Sequence, residues 1–131
     1  MTPGDLILIV EDNARNLKLV RDVLEHVGYR TVEAETAEDG LALARAERPG
    51  LVLMDVQLPG MDGVEALGRL RADPATAGLR VLAVTAFAMK EDRERFLAAG
   101  FDGYLEKPLD VRELPGRIAA ALEAPTTSGA P

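Results

Sequence analysis

Residues 51–55 read Leu-Val-Leu-Met-Asp, an apolar run of strand length over Leu51–Met54 that is followed by a carboxylate. Two further runs, Leu6–Val10 and Val81–Val84, lack the polar alternation of a strand with one face in water. Such runs are typical of strands buried on both faces of a parallel sheet. Weaker strand candidates lie at Thr31–Ala34 and Gly103–Leu105. We therefore predict five strands.

Helical patterns fill the segments between these strands. The clearest helix is closed by Gly28 and has apolar residues at intervals of three and four: Leu17, Val20, Leu24 and Val27. Three helix starts have an oxygen-bearing cap three residues before an acid: Thr36 with Asp39, Asp62 with Glu65, and Asp110 with Glu113. Another helix is predicted over about residues 89–99. The alternation predicts a doubly wound α/β sandwich, in which helices cover both faces of one parallel sheet.

The length and composition fit one folded domain. A chain of 131 residues with 47% hydrophobic residues is long enough to bury a single core. We expect this domain over residues 6–123, preceded by an extension at residues 1–5. Residues 124–131 have linker composition and are expected to be a disordered tail or the stump of a connection to another domain. Pro115, near the start of the last predicted helix, is expected to delay or bend that helix.

The charge and residue usage exclude several classes of function. A net charge of −7 argues against nucleic-acid binding, because phosphate backbones attract basic surfaces. The absence of cysteine rules out disulfides, thiolate metal sites and a cysteine nucleophile. The sequence has neither a secretory signal nor an apolar stretch approaching the roughly 20 residues that span a bilayer. We expect a cytoplasmic protein that does not enter the membrane.

The predicted strands end in residues that carry chemistry. Glu11 and Asp12 follow the first strand, Asp55 the third and Thr85 the fourth, and Lys107 comes shortly after the last. In a doubly wound fold these ends meet at one edge of the sheet. Clustered carboxylates repel one another unless a cation joins them, and an all-oxygen ligand set suits Mg²⁺ or Mn²⁺ and does not suit zinc. A carboxylate can also accept a phosphoryl group, whose oxygens a lysine and a threonine would stabilise.

Four segments resemble the motifs of bacterial response-regulator receiver domains: Glu11-Asp12-Asn13, Leu53-Met-Asp-Val-Gln-Leu-Pro-Gly-Met-Asp-Gly63, Val84-Thr85-Ala86 and Lys107-Pro108. The resemblance covers about Leu6 to Leu122, and the motifs agree in order and spacing. It implies a flavodoxin-like (βα)5 sandwich, similar to the chemotaxis regulators, with parallel sheet order 2-1-3-4-5. Residues 85–90 further resemble single-domain receivers of the cell-division control type.

The resemblance also assigns the phosphorylation site. It makes Asp55 the phosphoacceptor, with Asp12 and the backbone carbonyl of Gln57 as further ligands of Mg²⁺. Glu11 would act at the metal through a water molecule. Gln57 and Phe87 would occupy the positions that tune hydrolysis of the phosphoaspartate. Because Phe87 is bulky and has no group to orient water, we hypothesise a long-lived phosphorylated state.

A switch and its partners follow from the same resemblance. Thr85 and Lys107 would hold the phosphoryl oxygens, and the Lys107–Pro108 peptide bond would be cis. Tyr104 would turn inward as Thr85 moves. The implied partners are a histidine kinase or histidine phosphotransfer protein, which donates the phosphoryl group, and a downstream protein that binds at the last helices. The chain itself would be a monomer or weak dimer that catalyses only its own phosphorylation and dephosphorylation.

Three alternative functions remain open. The first is a receiver module cut from a hybrid kinase or multidomain regulator. The second is an aspartyl-phosphate phosphatase, and the third is a flavodoxin-like cofactor binder. The phosphatase of haloacid-dehalogenase type needs a second acid two residues after the nucleophile, where Gln57 stands. A phosphate-binding loop after the first strand would be repelled by Glu11 and Asp12. Taken alone, either Asp12 or Asn13 is explained as a cap of the first helix.

Overall fold

Five strands and five helices alternate along the chain in the computed structural model, which describes residues 5–58, 60–86 and 89–123. The strands are β1 Leu6–Val10, β2 Arg30–Ala34, β3 Leu51–Asp55, β4 Val81–Thr85 and β5 Gly103–Glu106. The helices are α1 Ala14–His26, α2 Ala37–Glu47, α3 Gly63–Ala72, α4 Lys90–Ala99 and α5 Leu114–Glu123. All neighbouring strands pair in parallel, in the order β2-β1-β3-β4-β5. The predicted doubly wound fold and sheet order are confirmed.

Two apolar cores lie on opposite faces of the sheet. Alternate residues of each strand point to opposite faces, so the continuously apolar strands supply both cores. One core packs the sheet against α2, α3 and α4, and Phe96 and Phe101 meet edge to face within it. The other packs the sheet against α1 and α5 through Leu24 and Ile118. The helices therefore form the outer layers of a three-layer sandwich.

Side-chain caps begin the first three helices. The Asn13 side chain accepts hydrogen bonds from the backbone N–H groups of the first turn of α1. Thr36 Oγ1 accepts from Asp39 N at 3.1 Å, and Asp62 Oδ1 accepts from Glu65 N at 2.8 Å. The predicted caps at residues 36 and 62 are confirmed. Asn13 is the cap of α1, which leaves the neighbouring aspartate available to the edge of the sheet.

The last helix begins later than predicted. The Asp110 carboxylate accepts from Arg112 N, but residues 111–113 form a turn that leads directly into the helix, so the expected helix start at Asp110 is wrong. α5 begins at Leu114, and Pro115 is its second residue. A proline is tolerated there because the first N–H groups of a helix have no partner within the helix. Pro115 thus delays the start of the helix, which is one of the two outcomes expected from the sequence.

Arg71, near the end of α3, ties together segments that are far apart in sequence. Its guanidinium donates hydrogen bonds to the carbonyl oxygens of Ala77, Leu79 and Gly100. It also pairs with the Asp102 carboxylate at 3.1 Å, and these two side chains are 15% and 10% exposed. Gly100 ends α4 with φ at 113°. Arg71 therefore holds the loop after α3, the end of α4 and the start of β5 in one arrangement.

Several predicted strands run one residue further than expected. β3 includes Asp55, β4 includes Thr85 and β5 includes Glu106. Two candidate site residues therefore belong to the hydrogen-bonded sheet, which fixes their main chains.

Among the described residues, no helix has both the length and the apolar composition that a bilayer crossing requires.

Candidate phosphorylation and metal site

The carboxyl ends of three neighbouring strands bring Asp55, Thr85 and Lys107 together. Asp55 lies beside Val84 in the β3–β4 register, and Thr85 lies beside Glu106 in the β4–β5 register. Lys107 N donates to Thr85 O at 2.8 Å, which continues the pairing past the end of β5. The sheet register, and no single loop, therefore positions these three residues.

Lys107 joins two buried carboxylates. Its Nζ lies 2.9 Å from Asp55 Oδ2 and 3.1 Å from Glu11 Oε1. Asp55 is 2% exposed and Glu11 is 5% exposed, whereas ionised carboxylates are rarely buried without a partner. The Lys107–Pro108 peptide bond is cis. One ammonium group thus compensates two negative charges at this edge of the sheet.

The pKa values of Glu11 and Lys107 are both raised, which disfavours the charged form of Glu11 and favours the charged form of Lys107. Burial, followed by the hydrogen bond and negative charge of Asp55, raises the pKa of Glu11. For Lys107, burial acts to lower the pKa, but the hydrogen bonds and charges of Asp55 and Glu11 outweigh it and raise the pKa. The lysine is therefore held as a cation, while one carboxylate carries a cost for being charged.

A divalent cation fits the carboxylates at this edge. One oxygen each from Glu11, Asp12 and Asp55 lies within 4.8 Å of the others, with Asp12 exposed and the other two buried. The donor set is all oxygen, which suits hard Mg²⁺ or Mn²⁺. Three carboxylates and one ammonium leave an excess of negative charge that a divalent cation would compensate. The predicted metal ligands Asp12 and Asp55 are thus close together, with Glu11 beside them.

The loop after β3 approaches Asp55 from the other side. Gln57 N donates to Asp55 Oδ1 at 2.9 Å, so both oxygens of this carboxylate have hydrogen-bond partners. Gly63, the first residue of α3, lies so close that an added Cβ would be 2.6 Å from Asp55 O and from Val56 Cα. Its closeness to the main chain of Asp55 depends on how α3 returns to β3.

Tyr104 lies in β5, three residues before Lys107, and accepts hydrogen bonds from two arginines. Its register partner in β4 is Ala83, and alternation places Thr85 on the same face. Arg93 Nη1 of α4 donates to Tyr104 Oη at 3.1 Å, and the Arg93 guanidinium carbon lies 5.8 Å from the ring centroid. Arg117 Nη2 of α5 donates to Tyr104 O at 2.9 Å. Sequence reasoning missed both arginines, because ordinary surface arginines on helices carry no motif.

Gln57 meets the site through its main chain and not through its side chain. The Gln57 side chain is exposed, and its described link to the site is the N–H bond to Asp55. Phe87, expected to tune hydrolysis, lies outside the described residues, as does the predicted tail at residues 124–131. The division into extension, domain and tail stays a prediction.

Comparison with known proteins identifies the family. The family model described as the response regulator receiver domain matches residues 7–119. The chain belongs to the receiver family. A curated relative of this receiver, the polar-differentiation response regulator DivK of Brucella anthropi, is 46% identical over 105 residues, which are 80% of this chain and 85% of the relative. DivK of Brucella ovis is 45% identical over the same share.

Solved structures agree with this assignment. A CheY-like receiver domain protein from Methanospirillum hungatei is 35% identical with a TM-score of 0.83, over 92% of this chain and 94% of that one. The receiver domain of a sensor histidine kinase from Pseudomonas aeruginosa is 33% identical with a TM-score of 0.84, over 92% and 99%. That structure has a magnesium ion coordinated in its active-site cleft. The chain is thus a receiver domain of the two-component response regulators and a signalling protein, and receivers bind Mg²⁺ at an acidic cluster.

Proposed function

We propose that this receiver accepts a phosphoryl group on Asp55 from a histidine kinase or histidine phosphotransfer protein. The observation that carries the proposal is the position of the Asp55 carboxylate. It is buried, bonded to Lys107, and grouped with two further carboxylates at the end of a central strand. A carboxylate that only caps a helix or lies on the surface requires neither burial nor a lysine partner nor neighbouring carboxylates.

The proposed transfer is a direct displacement at phosphorus. An Asp55 carboxylate oxygen attacks the phosphorus of the phosphohistidine, the P–N bond breaks, and the imidazole leaves with the electron pair. Lys107, which is a cation beside Asp55, stabilises the negative charge on the phosphoryl oxygens. The hydroxyl of Thr85, from the next strand, donates a hydrogen bond to another of these oxygens. Hydrolysis of the resulting acyl phosphate returns Asp55 to its carboxylate form.

Asp12, Asp55 and the Gln57 carbonyl are the proposed ligands of the metal, with Glu11 acting through water. When bound, Mg²⁺ supplies compensation of the negative charge that carboxylates and phosphoryl oxygens share. Asp12 is exposed and lies at the mouth of the cluster, so it can take up a metal ion without rearrangement of the core. Mn²⁺ satisfies the same ligand chemistry.

The output is a change in the surface formed by α4, β5 and α5. Thr85 moves toward the phosphoryl group, and Tyr104, on the same face of the sheet, turns inward into the space that Thr85 leaves. A downstream protein then binds one of the two surfaces better than the other, which is what a phosphorylation switch requires. Phe87 is proposed to slow hydrolysis, and a Phe87→Glu variant with unchanged decay of the phosphorylated form would contradict that.

Intact mass measurement tests the phosphoacceptor. The protein is incubated with acetyl phosphate and Mg²⁺, beside Asp55→Asn and a sample with a chelator. Asp22→Asn is the matched control, because it makes the same chemical change at an exposed carboxylate of α1. One phosphoryl group is expected on the wild type and on the control, and none on Asp55→Asn or with the chelator. If acetyl phosphate fails, a phosphorylated histidine kinase replaces it, and failure of both donors on folded protein refutes the proposal.

A further inference from the structure

Three elements of the proposed output surface meet at Tyr104. Arg93 of α4 binds its hydroxyl and Arg117 of α5 binds its backbone carbonyl. The ring is half-buried against the core below α4, whereas Arg93 is exposed. A hydroxyl bound to an exposed arginine is held near the surface. The side chain that is proposed to turn inward therefore has an identified restraint in this structure.

We infer that Arg93 is a positioning residue that holds Tyr104 in this surface arrangement and so opposes its inward turn. The inference rests on the proposed function of Tyr104 as part of the switch. The hydrogen bond from Arg93 and the cation–π contact with the ring both depend on where Tyr104 lies. An inward turn of the ring breaks the hydrogen bond, so Arg93 stabilises the surface arrangement relative to the inward one.

The effect of Arg93 is expected to be moderate. The contact is partly exposed, and hydrogen bonds and cation–π contacts at such sites change an equilibrium by about two- to tenfold. A change of this size sets the fraction of inward Tyr104 without locking the protein in one state. Where the inward arrangement is the one that accepts the phosphoryl group, the rate of phosphorylation is proportional to the population of that arrangement, so a variant that raises this population raises the rate by the same factor.

The first test measures Tyr104 without phosphorylation. The side-chain rotamer populations are determined by NMR on protein with labelled tyrosine, and Tyr29, the other tyrosine, is the internal reference. Arg93→Ala is expected to shift the populations of Tyr104 by about two- to tenfold and to leave Tyr29 unchanged. Arg95→Ala is the matched control, because Arg95 is an exposed arginine of the same helix whose guanidinium lies 5.2 Å from the Phe96 ring. It should leave Tyr104 unchanged.

The second test measures the initial rate of phosphorylation by acetyl phosphate with Mg²⁺. Arg93→Ala is expected to be about two- to tenfold faster than the wild type, with partial return in Arg93→Lys. In a Tyr104→Phe background, which lacks the hydroxyl, the effect of Arg93→Ala should become smaller. A purely structural role for Arg93 would not make its effect depend on the tyrosine hydroxyl.

The outcomes separate this inference from the proposed function. If the wild type is phosphorylated on Asp55 but Arg93→Ala changes neither the rotamers of Tyr104 nor the rate, the role of Arg93 is refuted and the proposed function stands. If the rotamers shift and the rate does not, Arg93 restrains the tyrosine without regulating phosphorylation, which overturns the regulatory part. If the wild type is not phosphorylated by any donor, the proposed function and the regulatory role of Arg93 are refuted, and the rotamers of Tyr104 alone decide whether Arg93 restrains it.

Discussion

Replacing Glu11 with glutamine should stabilise the metal-free protein. Glu11 is nearly fully buried, and a carboxylate oxygen of Asp12 and of Asp55 lies within 4.8 Å of one of its own. Glutamine removes one negative charge and keeps the size of the side chain. It also keeps an oxygen that can accept the 3.1 Å hydrogen bond from Asn13 N. The other terminal atom becomes an amide nitrogen that cannot accept from Lys107 Nζ, so the substitution also removes the 3.1 Å ion pair with Lys107.

The magnitude follows from the charges around Glu11. At an effective dielectric constant of about 20, two like charges at the upper limit of 4.8 Å repel by about 3.5 kcal/mol, so each neighbouring carboxylate costs at least about that much. The attraction to Lys107 Nζ at 3.1 Å is about 5 kcal/mol on the same scale. Two repulsions exceed one attraction by about 2 kcal/mol, and burial adds to the cost of the charge. Allowing for relaxation of the exposed Asp12, we expect Glu11→Gln to raise the free energy of unfolding by about 1–2 kcal/mol.

The pH dependence has a definite sign. The pKa of Glu11 in the folded protein is raised above its ordinary value of 4.5. Between these two values the folded chain keeps a proton that the unfolded chain has released, so wild-type stability falls as the pH rises through that interval. The advantage of Glu11→Gln should therefore be largest at pH values above the folded pKa of Glu11. It should shrink as the pH is lowered through the folded pKa of Glu11.

Urea unfolding with and without Mg²⁺ measures both effects. Without metal, Glu11→Gln should have the higher midpoint at pH 7, whereas Glu47→Gln, an exposed control at the end of α2, should stay within about 0.5 kcal/mol of the wild type. Mg²⁺ at ten times its Kd stabilises the wild type by about 1.4 kcal/mol, and the variant should gain less. A variant less stable than the wild type in metal-free buffer at pH 7 would refute the reasoning.

Three further substitutions test the fold and the site. Arg71→Ala should lower the free energy of unfolding by about 3 kcal/mol, because it removes a buried partner of one carboxylate and three carbonyls. In the same urea titration, the control Arg69→Ala on the same helix should lower it by less than about 0.5 kcal/mol. Gly63→Ala should cost about 2 kcal/mol and weaken Mg²⁺ binding, since its Cβ would press on Asp55 O. Asp12→Asn should weaken Mg²⁺ binding at least about tenfold by calorimetry, with metal-free stability unchanged or higher.

The fold was predictable because apolar pattern and turn chemistry agree along most of the chain. The strands that are buried on both faces could be read directly from runs such as residues 6–10, and the caps at Thr36 and Asp62 marked helix starts within a residue. The strand ends then placed Asp55 beside Thr85 without any knowledge of contacts. The shared edge follows from the topology alone, so the meeting of these strand ends was predictable before any contact was known.

The errors lie where local chemistry admits two structures. Asp110 with Glu113 has the spacing of a helix cap, but the bond of Asp110 to Arg112 N heads a turn at residues 111–113, and Pro115 moves the helix start to Leu114. Val27 continues the apolar spacing of α1, yet it lies beyond the last helical residue and is 45% exposed. Spacing alone does not say whether an element has already ended.

Contacts between distant segments were not predictable at all. Arg71 meets Asp102 across 31 positions of sequence, and Arg93 meets Tyr104 between a helix and a strand. Both arginines occupy helix positions where an exposed charge is ordinary. What distinguishes them is the carboxylate or hydroxyl that the fold brings within reach, and this depends on how α3 and α4 lie against the sheet.

The charges at the end of the sheet connect stability with the proposed switch. Lys107 already binds Asp55 Oδ2, so the same ammonium that compensates the resting carboxylate is in place to compensate a phosphoryl group attached to it. Neutralising Glu11 should stabilise the resting protein but remove part of the negative field that attracts a divalent cation. A more stable variant at this position is therefore expected to be a poorer metal binder, and the buried charge is best understood as a cost that metal binding offsets.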